Sequence, residues 1–218
     1  MGFNTNEGGG KFVSIVGGRF CIRVQEGTEG AVTRVNKLNK TVHEKYYDSF
    51  TGKLVAVKVV DGNYGKQWEF SFQDQKEVYK LQLGYSNGFA KNIVKILPNV
   101  DLTKEMKISP STKIEADGTK KSSLFINQDG VALKHAYTKE NPNGLPPMVQ
   151  VTVKGEKVWD DTDQMVFLYN MVQSTIVPKL GVATSLGAST APVAKTDDLD
   201  TFVAEANAET IKPEDVPF

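Results

Sequence analysis

The sequence has little sulfur and little histidine. Its one cysteine, Cys21, excludes an internal disulfide and points to a reducing compartment. The two histidines, His43 and His135, fall in segments that read as strands, and no cysteine pair accompanies them, which argues against a zinc site. No apolar run approaches the ~20 residues of a membrane span. No N-terminal stretch joins a basic start to an apolar core, so no secretory signal is expected. The opening MGFNTN carries Asn6 where a myristoylation signal needs Ser or Thr. Together these absences predict a soluble, cytoplasmic protein with no membrane partner.

The usual catalytic constellations are missing too. Residues 8–11, GGGK, lack the spacing and the following Ser or Thr of a phosphate-binding loop, and they precede a strand instead of opening a helix. No local signature surrounds Cys21 or any serine as a nucleophile. Carboxylates are scattered before the C-terminal segment, with no cluster of the kind a metal-dependent nuclease uses. Residues 39–41, NKT, match a glycosylation acceptor that has no role without secretion. The expectation is a protein that is not an enzyme and needs no cofactor or metal.

Charge of one sign is absent only in the sum. The net charge is zero, yet residues 1–180 hold 24 basic against 19 acidic residues (+5) and residues 181–218 hold 2 against 7 (−5). A basic body with an acidic tail is the pattern of a binding domain carrying an interaction segment.

What is present is mostly strand. KFVSIVGGRFCIRV (11–24) alternates apolar and polar residues and breaks at Gly17-Gly18, which reads as a bulge or a barrel bend. AVTRVNK (31–37), VHEKYYDSF (42–50), KLVAVKVVD (53–61), KQWEFSF (66–72) and KEVYKLQLG (76–84) follow, separated by turn residues. NGFAKNIVKILP (87–98) has helical spacing. MKIS (106–109), SSLFINQ (122–128) and VALKHAY (131–137) read as strands, the last two joined by the turn Asp129-Gly130. VQVTVKGEKVW (149–159) is a further strand or hairpin. Residues 160–178 form a second expected helix, capped by Asp161 or Thr162, stopped by Pro178, with Met165, Leu168, Tyr169, Val172 and Ile176 along its core stripe. Short strands at even spacing, interrupted by one helix, are compatible with a five-stranded Greek-key barrel. The expected fold is therefore mainly β, an OB-fold-like Greek-key barrel with extra strands and two helices over 1–180. Residues 181–218, poor in aromatics and rich in Ala, Ser, Thr and Gly before their acids, are expected to be a flexible linker and an acidic tail, disordered when free.

In the β segments, cations alternate with aromatics. Arg34, Lys37, Lys40 and Lys45 flank Tyr46 and Tyr47; Lys58, Tyr64 and Lys66 surround one turn; Lys80 and Tyr85 close the next strand; Lys120, Lys121, Lys134 and Tyr137 come later. Single-stranded nucleic acid needs this pairing, because cations track phosphates while aromatic faces stack on any base, at ~1–3 kcal/mol per base. Trp68, Phe70 and Phe72 share one strand face and are assigned to the core instead. Tyr47, Tyr64 and Tyr137 are the expected stacking residues.

The ending sharpens the reading. PEDVPF (213–218) resembles the acidic tip of bacterial single-stranded DNA-binding proteins, an Asp-rich run closing on Ile-Pro-Phe, with Val216 here in place of Ile and Pro217-Phe218 matching. That resemblance implies an OB-fold domain, a low-complexity linker and a tip that docks on replication, recombination and repair proteins. Glu214, Asp215, Val216, Pro217 and Phe218 would be the docking residues. The folded part is longer than the bacterial domain and the tip has two acids, so a bacteriophage-type member, acting in the host cytoplasm, fits better. Two other classes stay open at this point: a β-rich interaction protein that does not bind DNA, and a recombination or annealing accessory.

Overall fold

The computed structural model describes residues 10–180 except 37, 63, 64, 76, 117, 119 and 154. The expected tail, with its tip, and the expected contact residues Lys37 and Tyr64 lie outside the described residues. What is described is mainly β with two helical segments.

Strand β1 (Lys11–Val16) and β2 (Arg19–Arg23) pair antiparallel, with Val16 opposite Arg19. Gly17 and Gly18, alone between them, have φ of 58° and 75°. Two successive positive φ values make the type I′ turn that matches strand twist, so this pair is a hairpin turn and not a bulge or barrel bend. Gly18 is constrained a second way. A Cβ there would fall 2.4 Å from the backbone N of Thr112, so only glycine lets the turn seat against β8 (Met106–Ile114).

Next come β3 (Val32–Val35) and β4 (Thr41–Tyr47), with β4 pairing to β2. The strands β5 (Phe50–Gly62), β6 (Gly65–Asp74) and β7 (Glu77–Gly84) form an antiparallel meander. The register shifts between Leu54 and Ala56, a bulge that lets Leu54 and Val57 both face the core. After helix α1 (Gly88–Ile96), β8 returns to lie beside the start of β5, Phe50 opposite Ile108. The spatial order β8-β5-β6-β7 is a Greek key. β9 (Lys120–Gln128) and β10 (Val131–Ala132) extend one side, while β1 lies parallel to β7 on the other and carries β2, β4 and β3. β11 (Val149–Val153) and β12 (Glu156–Asp160) form a separate hairpin.

Asp129 and Gly130 do make the expected turn, at φ 53° and 79°, but β10 ends at Ala132. Residues 133–137, and His135 with them, are not strand. The Leu133 N–H still donates to the Ile126 carbonyl of β9 at 2.8 Å, but beyond it the backbone bonds go elsewhere: the Ala136 N–H donates to the Lys95 carbonyl, and Asn99 Nδ2 donates to the Lys134 carbonyl, both at 2.9 Å. These bonds tie the loop to the end of α1 and the turn after it.

Helix α1 starts where Asn87 Oδ1 accepts from the Phe89 N–H at 2.8 Å. It packs against β7 and β9, and all nine of its residues are buried, Lys91 and Lys95 included. Helix α2 (Thr162–Met171) continues through a π-helical turn (Val172–Ile176) into a last α turn (Val177–Leu180). Pro178 therefore does not stop it. A wide turn just before the proline lets the helix resume without the missing N–H. Met165, Leu168, Val172 and Ile176 are buried as expected, whereas Tyr169 stays 37% exposed at the margin. Asp161 occupies the N-cap position without capping; its carboxylate pairs with Lys91, and Asp160 accepts from the Thr162 N–H instead.

The core lies on the inner face of the meander. Trp68 is fully buried, stacked on Phe70 at 6.0 Å and on Tyr85 at 5.6 Å. Each such side chain removed from water contributes about 1.5–3 kcal/mol. Among the described residues no helix is long and apolar enough to cross a membrane.

Candidate nucleic-acid interface

Strand register decides which of the expected contact residues share a surface. Lys58 pairs with Glu69 and Glu69 with Gln82, while Ser71 pairs with Lys80. The parallel ladder then sets Lys80 beside Phe12. Ser14 faces Cys21, Cys21 faces Tyr46, and Arg23 faces Glu44, which Arg34 also reaches. These residues all lie on the outer face of the sheet, opposite Val13, Phe20, Val57, Trp68 and Leu81. Lys58, Lys80 and Arg34 are thus brought onto one face, together with Arg19, Arg23, Phe12 and Tyr46.

Buried carboxylates organise this face. Glu44 is fully buried; it accepts from Arg34 Nε at 2.8 Å, Arg34 Nη2 at 2.9 Å and the Tyr46 hydroxyl at 2.8 Å. Glu69 is 4% exposed; Gln82 Nε2 donates to it at 2.8 Å, and Lys58 Nζ sits 3.0 Å from its other oxygen. A carboxylate so buried is tolerated only when paired. At these two pairs the geometry places the anion beneath and the cation above, so Arg34 and Lys58 are what solvent meets, whereas Arg19 pairs at 2.8 Å with the exposed carboxylate of Asp48. The same cluster fixes two other groups. Burial, then the bond to Glu44, pushes the Tyr46 phenol far above its ordinary range. Burial, then Glu44, pushes the Cys21 thiol up to about 12, which keeps it protonated and unreactive at neutral pH.

Two cation–aromatic pairs stand on the outer face: Lys80 Nζ lies 5.5 Å from the centre of the Phe12 ring, and the Arg19 guanidinium 5.9 Å from that of Tyr46. A third, Lys45 over Tyr47 at 5.9 Å, lies on the opposite face, because Lys45 pairs with Ile22 and Tyr47 with Phe20. Tyr47 is 40% exposed, as expected. Lys66 is exposed at the β5–β6 turn and Lys134 in the loop after β10, where neither meets a side-chain acceptor among the described residues. Lys121 shares the outer face of β9 with exposed Phe125, whereas Lys120 opposes Ile114 on the other side.

Two expected contact residues are corrected. Tyr85 is packed, stacked on Trp68 and donating its hydroxyl to the Met165 carbonyl at 3.1 Å. Tyr137 is buried, edge-on to Phe167 at 5.6 Å. Both are taken by the packing of α2 and the loop before it, which the local sequence does not announce. Conversely, Phe12 and Arg19 were missed. Only the parallel pairing of β1 with β7, a contact between segments nearly seventy residues apart, sets Phe12 beside Lys80.

No cluster of three or more His, Cys, Asp or Glu suited to a metal exists among the described residues. Comparison of the chain with protein-family models, with curated proteins and with solved structures finds no match.

Proposed function

We propose that this chain is a single-stranded DNA-binding protein of the bacteriophage type, non-enzymatic and cofactor-free, acting in replication, recombination or repair. Residues 1–180 are the DNA-binding domain, and 181–218 carry the tip that recruits partner proteins. The observation that carries the reading is the outer face of β5-β6-β7-β1-β2. There Lys58 and Arg34 stand over the buried carboxylates Glu69 and Glu44, Lys80 lies over the Phe12 ring, and Arg19, paired with exposed Asp48, lies over that of Tyr46. Such a face offers cations to phosphates and ring faces to bases, with no donor pattern that would select a sequence. A Greek key with α1 between its third and fourth strands supports an OB-type barrel, extended here by β1 to β4.

Fluorescence anisotropy with labelled oligo-dT tests this. Log affinity is expected to fall against log salt with a slope of about −0.7 per phosphate neutralised. Duplex of equal length should bind more weakly. Affinity insensitive to salt, or binding to duplex alone, would refute the reading.

A further inference from the structure

A pocket of about 480 Å³ opens beside α1, between the loop 137–148, β12 and the start of α2. Its size and its largely apolar walls, among them Tyr137, Pro146, Met148 and Trp159, are those of a small-molecule site. Trp159 is 43% exposed, so part of its ring is open to an occupant. Two buried polar groups also line the pocket. Lys95 is 3% exposed, and its ammonium makes no ion pair or hydrogen bond among the described residues. Neither neighbour supplies a counterion: Asp161 is taken by Lys91, and His135 is a base, held below its ordinary value by burial and then by Lys95 itself. Burial, then Lys91, pushes Lys95 down to about 8, so it still carries its proton at neutral pH. Gln164 is 8% exposed; its Nε2 donates to the Pro146 carbonyl at 2.8 Å, while its Oε1 is buried with no partner. A buried cation without an anion and a buried acceptor without a donor both raise the free energy of the empty pocket, and an occupant can relieve both.

These features define a ligand. Its body is apolar and aromatic, able to lie on the Trp159 ring. It carries one negative charge. Lys91 and Asp161 already neutralise each other, so a single buried cation is left to balance, and a dianion would bury a surplus charge. Lys139 also lines the pocket, but it is exposed and its charge is solvated. The ligand brings an N–H as well, for Gln164 Oε1. Inorganic phosphate fails against the apolar walls. A base within a DNA strand fails on charge, because it is neutral and leaves Lys95 unbalanced.

We propose that the pocket is a binding site for a small aromatic carboxylate that bears an N–H group. The carboxylate meets Lys95, the N–H meets Gln164 Oε1, and the ring lies against Trp159 and Met148. The carboxylate–ammonium contact is charge-assisted and shielded from water, so it dominates recognition, while the walls contribute through the apolar area they bury. None of Phe12, Arg19, Arg34, Tyr46, Lys58 or Lys80 lines this pocket. The site is therefore separate from the DNA-binding face, and its failure would leave that reading standing.

The test titrates indole-3-acetate, an aromatic carboxylate with a ring N–H, into the full-length chain labelled with 15N, in which the tryptophans are Trp68 and Trp159. The Trp159 indole N–H resonance should shift saturably. That of core Trp68, whose indole N–H is held by the Tyr85 carbonyl, should stay in place. Indole-3-acetamide, which lacks the charge, should bind at least tenfold more weakly, and 1-methylindole-3-acetate, which lacks the N–H, should also bind more weakly. Lys95→Met should remove the difference between the acetate and the amide, with an unmoved Trp68 resonance showing that the variant is folded. Oligo-dT should leave the bound probe in place. No saturable shift at Trp159, equal affinity for the acetate and the amide, or an acetate preference that survives Lys95→Met would overturn the proposal. Displacement of the probe by oligo-dT would also overturn it, assigning the pocket to the path of the DNA.

Discussion

Trp68 and Glu69 are neighbours on β6, point to opposite faces and are both almost completely buried, at 0% and 4% exposure. Trp68 is buried by apolar matter, between Phe70 and Tyr85. Glu69 is buried by its own partners, Lys58 and Gln82, on a face that stays polar. The inner face exchanges water for packing and carries stability. The outer face holds a carboxylate under a lysine and so fixes where positive charge points. Low exposure alone would have assigned both faces to a core; the chemistry of the partners separates them.

Substitutions on the two faces should therefore fail differently. Trp68→Ala should cost about 3–5 kcal/mol of unfolding free energy in a denaturant titration, through lost transfer energy and the cavity left behind. A cost under about 1 kcal/mol would remove Trp68 from the core. On the outer face, Lys58→Met strands a buried carboxylate and should cost about 1–3 kcal/mol. Glu69→Leu removes the anion while leaving half-exposed Lys58 in water, so stability should stay within about 1 kcal/mol of wild type and oligo-dT affinity should rise. Equal destabilisation by these two variants would show that the face is held by packing and not by ion pairing.

Tyr85→Phe sharpens the same contrast on a smaller scale. Losing the hydroxyl bond to Met165 should cost about 1 kcal/mol with oligo-dT affinity unchanged; weaker DNA binding at full stability would return Tyr85 to the interface. The smallest effect concerns pH. His135 is held below its ordinary value of 6.5 by burial first and then by Lys95. Its folded value lies below its unfolded one, so the stability tied to the neutral ring is present above about pH 6.5 and is lost as pH falls toward the folded value. Unfolding free energy should decline there by at most ~1.4 kcal/mol per pH unit, and His135→Gln should flatten the slope.

Local alternation made most strands of the sheet legible, as did turn residues such as Asp129-Gly130 and the cap at Asn87. It also placed Trp68, Phe70 and Phe72 in the core. Pairings across long stretches of chain were not legible. Nothing near Phe12 signals that β1 lies parallel to β7, and nothing near Tyr137 signals that α2 brings Phe167 against it. The helix through Pro178 escaped notice because a π-helical turn, set by packing, absorbs the proline. Candidate cations were easy to list, but which face each one occupies follows from register, and a one-residue shift would exchange the faces.

The comparison between faces can be put to one decisive measurement: oligo-dT anisotropy, across a salt series, for Phe12→Leu/Lys80→Ala on the outer face and for Lys45→Ala/Tyr47→Leu on the other. The outer-face pair should weaken binding by about 1–3 kcal/mol through the lost stacking ring and reduce the salt slope by about 0.7 through the lost cation, while the other pair leaves both near wild type. Loss of binding in the Lys45/Tyr47 variant with the Phe12/Lys80 variant unaffected would place the DNA on the opposite face and contradict the account.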